Sequence, residues 1–329
     1  MGLTVNVLMN FGGPAKGRSG LPSVMLYNTD WHVPRGEWKS RNHMRETTGK
    51  RGRRASHRTI ILAAFAVIAT AMWAQGSWTR AVAAAASPVG DLRLSYEMAE
   101  ANGQTIPYHV YVPSGAPAGK AMPLVLVLHG YGGNADSPFE DAHGMLQREA
   151  DRHGFVILSP NGYNGLADYG ANLPLPTAIP RPTPGKLSPE EESRLAELDV
   201  LHTLDRVTNQ FHIDPKRLYL MGNSMGMTGV LHFASKYPDR WCAISASGGP
   251  PWPDYPIERL MHLSGALFVH GGKDDLSRVS DSQLLVKEAR GIGLNARLKV
   301  IPEGTHGDAW VRYLAETFDF FSENNCRNR

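Results

Sequence analysis

Short apolar strands alternating with longer helical segments predict a doubly wound α/β domain, a mostly parallel sheet with flanking helices. Two further observations point the same way. The middle strand candidates, LVLVLH, VILS, YLMG and ALFVH, are continuous apolar runs, the pattern of strands covered on both faces. The chain of 329 residues is 42% hydrophobic, 9% aromatic and 20% charged, which supplies a core and excludes a disordered or collagen-like polymer.

In chain order, strands are expected at 92–97, 106–112, 124–129, 155–158, 218–222, 243–247, 266–270 and 296–301. Helices are expected between them at 140–153, 188–211, 224–237, 282–291 and 308–322. The second starts sharply, because Ser188, Pro189 and Glu191 supply an N-cap, a proline at the first helical position and a capping-box carboxylate. In the last, Trp310, Leu314, Phe318 and Phe321 share one face and should dock on the sheet. No internal repeat is visible. The stretch 161–187 breaks the rhythm with Pro174, Pro176, Pro180, Pro182 and Pro184. A long loop leaving the C-terminal end of a strand sits where α/β ligands bind, so it is expected near the active site, the alternative being a passive surface loop. Its prolines stiffen it, and Leu173, Leu175 and Ile179 could line a substrate wall.

Ahead of this domain lies a leader. Residues 60–74, IILAAFAVIATAMWA, follow Arg51, Arg53, Arg54 and Arg58 and precede AVAAAAS, with small-residue cleavage sites after Ala83, Ala85 or Ala86. A basic region, a short apolar region and small residues define an export signal at 44–86, rather than a retained anchor or a buried helix. Arg53 and Arg54 admit a twin-arginine route beside the general secretory one. Met44 is the expected start and 1–43 an over-extension or a disordered segment, the alternative being a cytosolic extension. The mature chain, 87–329, is then one catalytic domain, secreted or periplasmic. The leader holds 12 basic and 3 acidic residues, leaving 22 basic and 28 acidic residues in 87–329, a net charge of −6. Nothing there suggests a nucleic-acid partner, and no stable membrane anchoring is expected after signal removal. Of the two cysteines, Cys242 in WCAISAS reads as a buried strand thiol, with a bridge to Cys326 as the alternative. Neither has zinc-type spacing, and no H-E-x-x-H or phosphate-binding G-x-x-x-x-G-K occurs.

Gly222, Asn223, Ser224, Met225 and Gly226 form G-x-S-x-G, which means little alone in a chain with 34 glycines. Here it follows an apolar strand and opens a helix, the context of a nucleophile elbow. A serine hydroxyl needs a base to take its proton, and the base needs a carboxylate to orient it. Asp274 in HGGKDD and His306 in GTHG each follow a strand, in the order Ser, Asp, His that accompanies such an elbow. Asp275 is the rival acid, whereas His232 and His270 read as structural. An oxyanion hole needs two backbone N–H groups: Met225 supplies one at the helix start, and Tyr131 in the glycine turn HGYGG the other, unless that turn has no catalytic part.

The runs LHGYGG, ELDVLHTLDRV, IDPKRLYLMGNSMGMTG, KYPDRWCAISASGG, VHGGKDD and EGTHG resemble the secreted serine esterases of the α/β-hydrolase superfamily. The resemblance lies near the feruloyl and acetylxylan esterases, polyhydroxybutyrate depolymerases and prolyl-oligopeptidase-like hydrolases. The resemblance spans about 92–321 and implies an α/β-hydrolase fold. Met227 stands where those relatives usually carry a second glycine, which adds bulk near the helix start or the acyl pocket. The reading is a carboxylic-ester hydrolase working through an acyl-enzyme on a small-molecule or polymer-linked ester, with no cofactor and no metal. A serine peptidase or acyltransferase on the same scaffold, and a non-catalytic binding protein, are the alternatives.

Overall fold

Strands form where the apolar runs lie. In the computed structural model, which describes residues 88–115, 119–171, 187–248 and 255–326, these are β1 (Gly90–Met98), β2 (Gln104–Val112), β3 (Met122–Leu128), β4 (Val156–Pro160), β5 (Ile213–Asn223), β6 (Ala243–Ser247), β7 (Gly265–Gly271) and β8 (Ala296–Ile301). The leader 1–86 lies outside the described residues, as do 172–186 with Leu173, Leu175 and Ile179. The strands make one sheet in the order β1-β2-β4-β3-β5-β6-β7-β8, antiparallel at β1, β2 and β4 and parallel from β4 onward.

Strand burial follows position. β3, β4, β6 and β7 are buried along their whole length, as continuous apolar runs require, whereas the edge strand β1 alternates between more and less exposed residues. The helices are α1 (Ser137–Asp141), α2 (Met145–His153), α3 (Pro189–Gln210), α4 (Met225–Lys236), α5 (Val279–Gly291), α6 (Ala309–Arg312) and α7 (Leu314–Glu323). Leu195, Val200 and Leu204 of α3, Val230 and Phe233 of α4 and Leu285 of α5 pack on one face of the sheet. Leu146 of α2 and Trp310, Leu314, Phe318 and Phe321 of α6 and α7 pack on the other. Each such side chain, fully buried, contributes about 1.5–3 kcal/mol.

The expected helices are present, with local corrections. The helix foreseen at 140–153 breaks after Asp141, because His143 and Gly144 turn through φ of 48° and 79° before α2 begins. The last helix divides at Tyr313. β5 starts five residues early, and its register against β3 shifts where Asp214, Pro215 and Lys216 interrupt the apolar run. Ser188 caps α3 by accepting from the Glu191 amide at 3.2 Å, but the Glu191 carboxylate turns to Arg194 rather than closing the capping box. The two cysteines are not lone thiols: Cys242, beside β6, is disulfide-bonded to Cys326, which ties the end of the chain to the sheet.

The chain runs from β3 outward to β4 and then crosses back to β5 on the other side of β3. Ligands in open α/β sheets bind where the order reverses in this way, beyond the carboxyl ends of the strands. Here that point lies between the ends of β3 and β5, where the segments HGYGG and GNSMG begin.

Candidate active site

Ser224 is the single residue between β5 and α4. It turns the chain with φ 57° and ψ −120°, a conformation that costs a side-chain-bearing residue on the order of 1–3 kcal/mol. Backbone bonds hold it there: its N–H donates to the Ser247 carbonyl at 2.8 Å, and its carbonyl accepts from Met227 at 2.9 Å. The flanking glycines follow from crowding. A Cβ at Gly226 would lie 2.1 Å from the Leu128 carbonyl oxygen, and one at Gly222 would lie 2.5 Å from that of Gly226. Met227, the departure from the related motif, is 2% exposed, so its bulk is in the core.

Asp274 and His306 come together from the loops after β7 and β8. The imidazole Nδ1 lies 3.1 and 3.0 Å from the two Asp274 carboxylate oxygens. The carboxylate is fully buried; it accepts from the Leu276 amide at 2.8 Å, the Ser277 amide at 3.0 Å and the Ser277 hydroxyl at 2.7 Å. Burial would raise its pKa, but these donors and His306 outweigh burial and hold it below the ordinary carboxylate range. Asp275 is exposed and is not the partner of the ring. His306 Nε2 is buried and finds no hydrogen-bond partner among the described residues. A Cβ on Gly248 would lie 3.4 Å from His306 Cε1, and Gly248 directly follows Ser247, the acceptor of the Ser224 amide. The ring therefore lies over the strand end that anchors the serine. His270 is fully buried against Ser282 at 2.8 Å, and His232 pairs with Glu197 at 3.2 Å.

Met225 opens α4, so its N–H belongs to the first turn, where helical amides have no partner within the helix. Tyr131 is half-buried in the loop after β3. A Cβ at Gly130 would lie 3.6 Å from Ser224 Cβ, which brings this loop against the elbow. The loop is braced: Gly132 N–H donates to Gly165 O at 2.9 Å, Tyr169 Oη donates to His129 O at 3.0 Å, and His129 Nε2 lies 2.9 Å from Asn161 O. Burial pushes the His129 pKa down. Sequence reasoning missed Ser247, Ser277 and these bracing residues. Only Ser277 left a local trace, as a serine three residues after an aspartate, the spacing of an Asx-type turn.

A cavity of about 580 Å³ lies beside the elbow, lined by His129, Gly130, Asn223, Thr305, Trp310 and Arg312 among others. No group of three or more His, Cys, Asp or Glu among the described residues could hold a metal ion.

The architecture has close counterparts among solved structures. A thermostable esterase matches 71% of this chain and 63% of its own at 22% identity and a TM-score of 0.56, and a ferulic acid esterase matches 71% and 98% at 15% identity and a TM-score of 0.54. The chain has the α/β-hydrolase fold. Residues 99–258 match the Esterase family model, described as a putative esterase, a stretch that contains Tyr131, Ser224 and Met225 and ends before Asp274 and His306. Among curated proteins, "Putative esterase NocK" of Nocardia uniformis subsp. tsuyamanensis is 31% identical over 57% of this chain and 51% of its own. A bifunctional acetylxylan esterase/xylanase of Neocallimastix patriciarum is 25% identical over 59% and 25%. The chain thus spans about half of the first relative and a quarter of the second.

Proposed function

We propose that this protein is an exported carboxylic-ester hydrolase that works through an acyl-enzyme. Ser224 Oγ attacks the ester carbonyl as His306 Nε2 takes its proton, and the N–H groups of Met225 and Tyr131 receive the oxyanion, about 3 kcal/mol for each such donor. The intermediate collapses, and His306 returns the proton to the departing alcohol. Water then attacks the acyl-enzyme, losing its proton to His306, and the acyl–Oγ bond breaks as His306 returns that proton to Ser224 Oγ and the acid leaves. Asp274 fixes the tautomer that keeps Nε2 able to accept.

The observation that carries this reading is the pair of Asp274 and His306. The buried carboxylate engages Nδ1, and Nε2 finds no partner among the described residues and lies over the strand end that holds Ser224. The match to the Esterase family supports an ester rather than an amide substrate. The neighbouring cavity has room for one portion of the ester. Export rests on the sequence of 44–86, and the disulfide between Cys242 and Cys326 suits an oxidising compartment. In this reading 87–329 is the single catalytic domain and 1–43 stands upstream of the signal.

The test is a panel of p-nitrophenyl esters of increasing chain length, run beside feruloyl esters, acetylated sugars and a peptide anilide, with Ser224→Ala as the blank. Turnover of esters, lost in the variant, is the expected result. Faster cleavage of the anilide would replace the reading with a peptidase. No turnover of any substrate would replace it with a binding protein.

A further inference from the structure

Asp199 lies on α3, remote in sequence from Ser224, Asp274 and His306, and is fully buried. A carboxylate in a core is costly unless its oxygens are satisfied. Here Oδ1 accepts from Tyr96 Oη at 2.9 Å, and Oδ2 accepts from the Tyr163 amide at 3.1 Å, with the Gly162 amide also donating to the carboxylate. Burial pushes the Asp199 pKa up to about 6 against those donors.

The amides that Asp199 receives belong to the turn after β4, and that turn is bent. Tyr163 has φ 66°, and further along Asp168 and Tyr169 have φ 38° and 58°. Such conformations persist only where the surroundings over-determine them. Three ties do so besides Asp199: Asn161 Nδ2 donates to Tyr163 O at 2.8 Å, Ser193 Oγ of α3 donates to Asp168 Oδ1 at 2.8 Å, and Tyr169 Oη donates to His129 O at 3.0 Å. The same turn receives the loop after β3, through Gly165 O at 2.9 Å from Gly132 N and Asn161 O at 2.9 Å from His129 Nε2.

We propose that Asp199 is a positioning residue for the oxyanion loop: by clamping the backbone at 162 and 163 it fixes the turn on which 129–133 rests, and so fixes the Tyr131 amide. The assignment of an oxyanion role to that loop rests on the reading above; the clamp itself does not. Asp199 touches no reacting atom. Its effect therefore falls on the placement of a donor used in the transition state, not on substrate binding.

The experiment compares the full chain with Asp199→Asn and Tyr96→Phe. Asp199→Asn keeps the size but replaces the charged acceptor with one neutral oxygen and an NH2 group, so the amides at 162 and 163 lose a charge-assisted partner; Tyr96→Phe removes the bond to Oδ1 and leaves the amide clamp in place. Amide hydrogen exchange, thermal melting, and kcat and KM for p-nitrophenyl acetate are measured on each. Asp199→Asn is expected to speed exchange in 129–133 and 161–165 about tenfold while the strands β5 to β7 keep their protection, and to lower kcat about tenfold with KM within about twofold. Tyr96→Phe is expected to melt earlier with kcat unchanged. Unaltered exchange in both segments, or equal losses of kcat in the two variants, would overturn the proposal. Should Asp199→Asn not fold, Asn161→Ala breaks the adjoining tie and gives the same readouts, judged by the same two results. If the wild-type chain does not hydrolyse the ester, the functional reading has failed, and hydrogen exchange still decides the clamp.

Discussion

The two loops proposed to act on either side of Ser224 are held in contrasting ways. The acid–base side is local: Asp274 takes its donors from Leu276 and Ser277, two and three residues on, and the amide next to His306, that of Thr305, is capped by Asp308 at 2.7 Å. Backbone bonds from Gly272 N–H to Ile301 O at 2.7 Å and from Lys273 N–H to Gly304 O at 2.9 Å tie the loop of the acid to that of the base. The oxyanion side has local bonds too, with Gly130 O 3.1 Å from Gly133 N and 2.7 Å from His129 Nδ1, but it also leans on distant residues. His129 meets Asn161 and Tyr169, 32 and 40 residues away, and the turn holding them is clamped by Asp199, 36 residues beyond Tyr163. A side chain that must take a proton is set by its own turn, whereas a backbone amide that must point at an oxyanion is set by packing from two other parts of the chain.

The largest expected effect lies where both sides meet. Ser224→Ala should remove ester turnover with the melting temperature nearly unchanged, since the half-buried side chain leaves little volume behind; kinetics and a thermal melt check both. Next, Asp274→Asn should lower kcat by about 10⁴ by presenting the wrong imidazole tautomer, with Asp275→Asn near wild type. If Asp275→Asn proved the more damaging, the local half of the comparison would be broken. Asp274, held below the ordinary carboxylate range, should keep its charge as pH falls, so protonation of this carboxylate should lower kcat/KM only at pH values below that range, which a pH–rate profile checks.

Smaller effects concern stability. Cys326→Ser removes the tie between the chain end and β6 and should cost about 2–4 kcal/mol in denaturant unfolding, with kcat unaltered, because neither arm of the site touches it. Smallest is Glu197→Gln. Burial raises the Glu197 pKa, but donors from His232, Lys236 and Tyr237 outweigh it and bring it down to about 2. A carboxyl lowered on folding stabilises the protein above its unfolded pKa and loses that contribution as pH falls through the folded one. The variant should therefore melt a few degrees below wild type at pH 7, and the gap should close between about pH 4.5 and 2.

The same contrast governs what could be read from the sequence. The strands β3, β4, β5 and β7 were legible because continuous apolar runs have few other uses in a chain of this size, and G-x-S-x-G was legible because its glycines answer to backbone contacts within the elbow and with the end of β3. Asp274 and Asp275 stood as rivals because adjacent carboxylates differ only in which one the turn buries. Asp199 was passed over inside ELDVLHTLDRV, where a helical aspartate ordinarily faces solvent, and Tyr163 and Tyr169 carry no mark of their positive φ. Such roles are defined by partners that only the folded sheet brings near. The cysteine pair was equally mute, since Cys242 in its apolar run reads first as a core thiol and the bridge to Cys326 only as the alternative.

The most direct measurement is the rate of covalent labelling by a fluorophosphonate, with the adduct located by peptide mass spectrometry. The wild-type chain should be labelled stoichiometrically on Ser224 alone, and at least a hundredfold more slowly in Asp274→Asn, because the probe needs the serine activated but not a complete turnover. An adduct on another residue, or a wild-type chain that remains unlabelled while folded, would contradict Ser224 as the nucleophile.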